Sequence, residues 1–216
     1  MKRIAVVLFL MTISLHAQKN IYEHSNFDAI SSNHKVLAII PFITNLELKK
    51  DISPEELRNL EKKEGYAVQE AFETYFSNRK KKKKFSVEFQ NVQNTNALLA
   101  KHQITYENID IHTIKELCNI LNVDGIISGN LNLNILLSKG ENTSFSFMDY
   151  ISGQANYGRI GVKISDKSTG KLLWKFEKVI TKKTGKDTNL LIDLMMKQTA
   201  RKFPYDKERK KKRKKD

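Results

Sequence analysis

Cysteine is nearly absent. Cys118 is the only one in 216 residues, so no internal disulfide can form and the core must hold the fold. The three prolines, Pro41, Pro54 and Pro204, each fall where an element should begin or end. No apolar stretch reaches the roughly 20 residues that a helix needs to span a bilayer. Nucleotide loops are missing too. Ser168-Thr169-Gly170-Lys171 lacks the first glycine of a phosphate loop, because Ser165 stands there, and Leu172 replaces its Ser/Thr. Gly153, Gly158 and Gly161 have the wrong spacing for a dinucleotide loop and read as turn or bulge positions.

What is present begins with an address. Lys2 and Arg3 precede an apolar run from Ile4 to Leu15, and Ser-Leu-His-Ala closes on a small residue at Ala17. This is the layout of a cleaved secretory signal spanning Met1 to Ala17. A cysteine at position 18 would make it a lipoprotein signal, but Gln18 stands there, so no lipid anchor is expected. The Leu-x-Ala-Gln junction is similar to those of Gram-negative envelope proteins, which points to the periplasm or the outer-membrane periphery.

The net charge of +14 is concentrated in a few places. Lys2 and Arg3 account for two charges and Arg79 to Lys84 for six. Eight basic against three acidic residues in Asp206 to Asp216 add five, leaving the body near +1. Basic residues gathered in runs, without interleaved aromatics, argue against a folded nucleic-acid interface. A helix end and a basic disordered tail (206–216) explain them. The sharper reading is attraction to an anionic membrane surface or lipopolysaccharide, carried by Lys80, Lys81, Lys82, Lys83, Lys84, Arg209, Lys210, Lys211, Lys212 and Arg213.

About 200 residues after processing suit one domain. Residues 18–34 are polar and read as a linker. Lys35 to Phe42 is a near-continuous apolar run ended by Pro41, as expected of a strand covered on both faces. Ser53-Pro54-Glu55-Glu56 is a helix start with a capping box, and apolar residues continue at helical spacing to about Asn78. Phe85, Val87 and Phe89 alternate as a second strand. Asn94 or Thr95 can cap a helix through His102, and His112 to Asn122 forms another. A strand from Val123 onward puts Leu131, Leu133, Ile135 and Leu137 on one face and asparagines on the other. Ile160, Val162 and Ile164 alternate in the next strand. Asp166 to Gly170 is turn chemistry before a return strand with Leu172, Trp174, Phe176 and Ile180. Asp187 or Thr188 caps a last helix, stopped before Pro204. The expectation is an α+β domain over 35–205, with a mixed sheet flanked by helices in the order β-α-β-α-α-β-β-β-α.

Four words carry a family resemblance: Val36 to Phe42 (VLAIIPF), Asn94 to Lys101 (NTNALLAK), Leu121 to Gly129 (LNVDGIISG) and Lys163 to Trp174 (KISDKSTGKLLW). In this order the chain resembles the family of the TolB amino-terminal domain, CsgG and LpoB-type activators, from about Lys35 to Phe203. The resemblance implies a non-enzymatic envelope protein acting through protein contacts. Many such relatives carry a lipid anchor, which Gln18 does not provide. A curli-type pore needs two membrane-inserting hairpins per subunit, and only Asn130 to Ser165 has room for one.

Catalytic and metal chemistry finds little support in the residues. His112 and Glu116 share a helix face without further ligands, which is capping or surface geometry. Cys118 occupies an apolar helix position, and nothing orients His102 or His112 toward it. Asp124 before Gly125 reads as a turn residue. No cofactor is expected. The candidate partner contacts are Phe145, Phe147, Met148 and Tyr150, aromatic and apolar residues in a polar stretch, which also fit strand alternation. An exported enzyme would instead need His112, Glu116 and Asp124 to line one pocket.

Export makes a direct prediction. The mature protein should begin at Gln18, as read by N-terminal sequencing of the exported fraction; a mature chain that retains Lys2 and Arg3 would refute it.

Overall fold

The run from Lys35 to Phe42 is apolar on both sides, and the fold covers both. In the computed structural model, which describes residues 21–48, 52–80, 85–137, 156–181, 187–199 and 203–207, this run enters a seven-stranded sheet one strand in from its edge. Strand β1 (Ile21–Glu23) and a one-turn helix α1 (Phe27–Ile30) come first. They are followed by β2 (Val36–Ile39), β3 (Ile43–Leu46), α2 (Pro54–Lys80), β4 (Glu88–Phe89) and α3 (Val92–Lys101). The rest is α4 (Ile114–Leu121), β5 (Gly125–Leu133), β6 (Asn156–Asp166), β7 (Leu172–Thr181) and α5 (Thr188–Thr199).

The sheet order is β1-β7-β6-β5-β2-β4, with β3 also on β5. β2 runs parallel to β4 and β5, whereas β5, β6, β7 and β1 pair antiparallel in succession. This is the expected α+β architecture, parallel crossovers followed by a meander. The apolar run itself is not one strand. Ile40 still donates to Ile127, but Pro41 has no N–H and the Phe42 amide turns away to the Gly65 carbonyl of α2. The chain then rejoins the same neighbour as β3, opposite Asn130 to Leu133.

Helices close the sheet unequally. On one face Val68, Phe72, Tyr75 and Phe76 of α2 and Leu191, Ile192, Met195 and Met196 of α5 pack on Leu37, Ile39, Leu131, Val162 and Trp174. On the other, Leu99 of α3 and Leu117, Cys118 and Leu121 of α4 cover only Ala38, Ile40 and Ile126. Among the described residues, no helix covers the β6–β7–β1 part of that second face beyond the contact of α4 with β6.

Local signals explain the helix starts. Ser53 Oγ accepts from the Glu56 amide at 3.2 Å, and Asp187 Oδ1 accepts from Leu190 at 2.8 Å. α4 begins after Thr113 rather than at His112, with a complete capping box between Thr113 and Glu116. α3 is capped by Asn91, ahead of the expected Asn94 or Thr95, because Asn91 Oδ1 takes the Asn94 amide. Gly170, at φ 69°, completes the β6–β7 turn that Asp166 opens.

Three boundaries differ from expectation. The stretch 18–34 is not a plain linker, since β1 pairs with Trp174 to Phe176 and Phe27 is buried against Tyr205 with ring centroids 5.5 Å apart. Its few apolar residues are too sparse to show a pattern, yet the sheet edge and an aromatic pocket accept them. Nor does a tail begin at Asp206, which is buried and bridges Phe85. The second strand shrinks to Glu88–Phe89 because Phe85 joins Phe76, Phe89 and Phe203 in an aromatic cluster instead of a ladder.

Gly65 tests this packing. Glycine inside a helix costs about 1 kcal/mol against alanine. Here a methyl would meet the Phe42 carbonyl oxygen and, at 2.8 Å, the Tyr106 ring. Gly65→Ala should therefore lower unfolding stability by about 2 kcal/mol or more in denaturant titration, despite the gain in helix propensity. A neutral or stabilising effect would show that α2 does not approach β2–β3 this closely.

Candidate functional site

A corner of the sheet brings together three buried polar side chains from distant parts of the chain. His34 ends a short 3-10 turn just before β2, Asp166 ends β6, and Tyr205 lies beyond α5. His34 Nε2 is 2.9 Å from Asp166 Oδ1, and His34 Nδ1 is 2.6 Å from the Tyr205 hydroxyl. All three side chains are buried. An ionised carboxylate only accepts, so Nε2 carries a proton; with the ring neutral, the Tyr205 hydroxyl donates to Nδ1. Asp166 Oδ2 in turn accepts from Ser168 Oγ at 2.8 Å and from the Thr169 amide and hydroxyl at 2.6 Å each.

Burial alone would push the Asp166 carboxyl up. The hydrogen bonds from Thr169, Ser168 and His34 outweigh it and hold the group at about 2. Burial pushes the Tyr205 phenol well above its ordinary value, with Asp166 and Asp124 acting in the same direction. The arrangement has the residue types of a proton relay, but each polar atom is engaged by another part of the fold. Its work is to tie the entrance of β2, the β6–β7 turn and the carboxyl-terminal segment together.

Asp124 stands beside it. Its Oδ2 accepts from the Lys35 and Val36 amides at 2.7 and 2.9 Å, and these bonds hold it below the usual carboxylate range against the opposing effect of burial. That is a clamp on the start of β2, stronger than the turn role read from the sequence. Glu116 is occupied at the other end of α4 by Thr113, with His112 Nδ1 4.0 Å away. Glu116 lies in the first turn of α4 and Asp124 follows its far end, and each is bonded to different backbone amides. Burial raises the Cys118 thiol to about 12, far from a reactive thiolate. Among the described residues no group of three or more His, Cys, Asp or Glu could hold a metal. A depression of about 220 Å³ lies between α2 and the start of α5, lined by Glu70, Thr74, Asp187 and Asn189 among others, away from His112 and Asp124.

The candidate contacts Phe145, Phe147, Met148 and Tyr150 lie outside the described residues, as do Lys81 to Lys84 and Arg209 to Arg213. Lys80 is the last residue of α2. Before it, the Arg79 guanidinium sits 4.7 Å from the centre of the Tyr75 ring. Sequence reasoning missed the His34–Asp166–Tyr205 relay. Only Asp166 carried a signal, as the first residue of a turn; His34 and Tyr205 sit in polar segments without periodicity.

No helix of the described residues is long and apolar enough to cross a membrane. No family model matches the chain, and no curated protein does. Among solved structures, a Neisseria meningitidis lipoprotein is similar at 10% identity and TM-score 0.47, over 77% of this chain and 98% of that one. The LpoB C-terminal domain from Escherichia coli is similar at 8% identity and TM-score 0.38, over 69% and 84% of the two chains. A PelC dodecamer from Paraburkholderia phytofirmans gives 11% identity and TM-score 0.30, over 76% and 86%. Likeness at this level assigns neither family nor activity.

The relay predicts a pH dependence. The Asp166 carboxyl falls from the ordinary 3.8 in the unfolded chain to about 2 in the fold. Its contribution is complete above about pH 4 and lost as pH falls through 2. Acid denaturation followed by circular dichroism should show this limb, and Asp166→Asn should flatten it. Tyr205→Phe removes the partner of His34 Nδ1 and should cost about 1–3 kcal/mol at pH 7.

Proposed function

We propose that this chain is an exported, non-catalytic envelope protein that acts by binding another component of the periplasm or outer membrane. The observation that carries the reading is the use made of the titratable groups. Where histidine, carboxylate and phenol meet, they are buried and bonded to one another, and Asp124 and Glu116 are each engaged by backbone amides. Chemistry that an enzyme would direct at a substrate is here directed at the fold. The export signal of Met1 to Ala17 supplies the compartment, and the four sequence words shared with the TolB, CsgG and LpoB family supply the class of role. The partner is an envelope protein, and Phe145, Phe147, Met148 and Tyr150 are the contacts we assign to it.

A photoreactive amino acid in place of Phe147 or Tyr150 should give one discrete adduct with an envelope protein when intact cells are irradiated. The same residue at exposed Ser77 is the control. Adducts no richer than those of the control would overturn the assignment of these contacts. Turnover abolished by changes at His112, Glu116 or Asp124 in a correctly folded protein would overturn the non-catalytic reading.

A further inference from the structure

The second face of the sheet is half covered. Beyond the reach of α3 and α4, the pairing register lays out three rows of side chains that point the same way. One row is Ser128, Lys163, Lys175 and Tyr22; the next is Asn130, Gly161 and Glu177; the third is Asn45, Asn132, Arg159 and Val179. Tyr22 is 47% exposed and Val179 41%, and Asn45, Asn132 and Arg159 are exposed as well. With strands about 4.8 Å apart, the β5–β6–β7–β1 part of the patch is about 14 Å across.

The charges on it are not arranged for stability. Lys163 and Lys175 stand directly opposite each other across β6 and β7, a pairing that destabilises a sheet. Glu177 is the carboxylate these cations share: Lys175 bonds it at 2.6 Å and Arg159 approaches to 3.7 Å, while Lys163 acts on it through its field. A second carboxylate, Glu47, lies at the β3 edge and accepts from Asn45 Nδ2 at 3.4 Å. Three cations against Glu177, with Glu47 set apart at the β3 edge, leave the middle of the surface positive. Around them Asn45, Asn130, Asn132 and Ser128 offer paired donors and acceptors, Gly161 keeps the centre low, and Tyr22 presents an aromatic ring at the rim.

We propose that this face binds an acidic polysaccharide, a chain of carboxylate-bearing sugars lying across β5, β6, β7 and β1. The cations match the carboxylates, the amides match ring hydroxyls, and the tyrosine matches the apolar side of a sugar ring. A protein partner fits poorly, because protein interfaces are depleted in lysine and rely on large apolar anchors, whereas the exposed large apolar side chains described on this face are Tyr22 and Val179 at its rim. A lipid headgroup surface would use the cations and leave the asparagine rows idle. The proposed site uses none of the lysines at 80–84 or 209–213, and it goes beyond the envelope-binding reading above.

The test uses the exported full-length mature protein and fluorescent oligogalacturonate, with polyglutamate, neutral dextran and anionic phospholipid vesicles as comparison probes. Oligogalacturonate should bind in a salt-dependent way and more tightly than the other three. Lys163→Gln with Lys175→Gln should weaken it by about tenfold or more, and Asn130→Ala with Asn132→Ala by a similar factor. Both pairs lie on the sheet surface, so unchanged melting curves would confirm folding, and a change at Lys80 to Lys84 should leave binding intact. Three results would overturn the proposal: no binding by the unmodified protein, equal binding of polyglutamate or vesicles, or folded face variants that bind as well as the parent. Loss of binding here with the photocrosslinks intact would leave the protein-partner reading standing, and the reverse holds.

Discussion

Two carboxylates at one corner determine how the chain enters its sheet. Asp124 holds the first two amides of β2, and Asp166 receives the imidazole that precedes them. The two are also joined through backbone, since Lys167 donates to the Asp124 carbonyl and Gly125 pairs with Asp166. Breaking the corner would free the start of β2, the turn of the β6–β7 hairpin and the segment that carries Tyr205. An unpaired buried carboxylate costs several kcal/mol, which is a large part of the stability of a domain this size. The polar network is therefore a condition of the fold and not an ornament on it.

From that corner β5 carries the architecture outward. It is the strand at which parallel pairing changes to antiparallel, with β2 and then β3 on one side and β6 along its whole length on the other. Helices follow the parallel half, because a crossover must pass over a face, and the meander needs none. The consequence is an asymmetric sheet. Among the described residues, one face is closed by α2 and α5, while the other is closed only as far as α3 and α4 reach. The open remainder is polar for the simple reason that water is its neighbour, and the register brings Lys163 and Lys175 face to face on it.

The legible parts of the sequence were those with local causes. The capping residues before α2 and α5 and the turn at Asp166 to Gly170 depend on residues within one element and lie where the pattern placed them. The leucine–asparagine alternation of β5 does so as far as Leu133, where the strand ends short of the expected Ile135 and Leu137. Less legible was the break at Pro41, where a continuous apolar run hides two strands. The break exists because the Phe42 amide finds an acceptor in Gly65, 23 residues later in the chain. The amino-terminal segment was illegible for the same reason: Ile21 and Phe27 mean little until β7 and Tyr205 are beside them.

By itself, then, the sequence determined the caps of α2 and α5, the strand faces and the absence of an internal disulfide, all of which follow from near neighbours or from composition. Tertiary structure decided which polar residues matter. His34, Asp166 and Tyr205 are separated by 132 and 171 positions from the histidine, and nothing local marks them as partners. Lys163 and Lys175 look like ordinary outward-facing strand residues until the hairpin register sets them face to face. Periodicity shows which side of an element is apolar, whereas only the pairing of distant strands shows what the polar side meets.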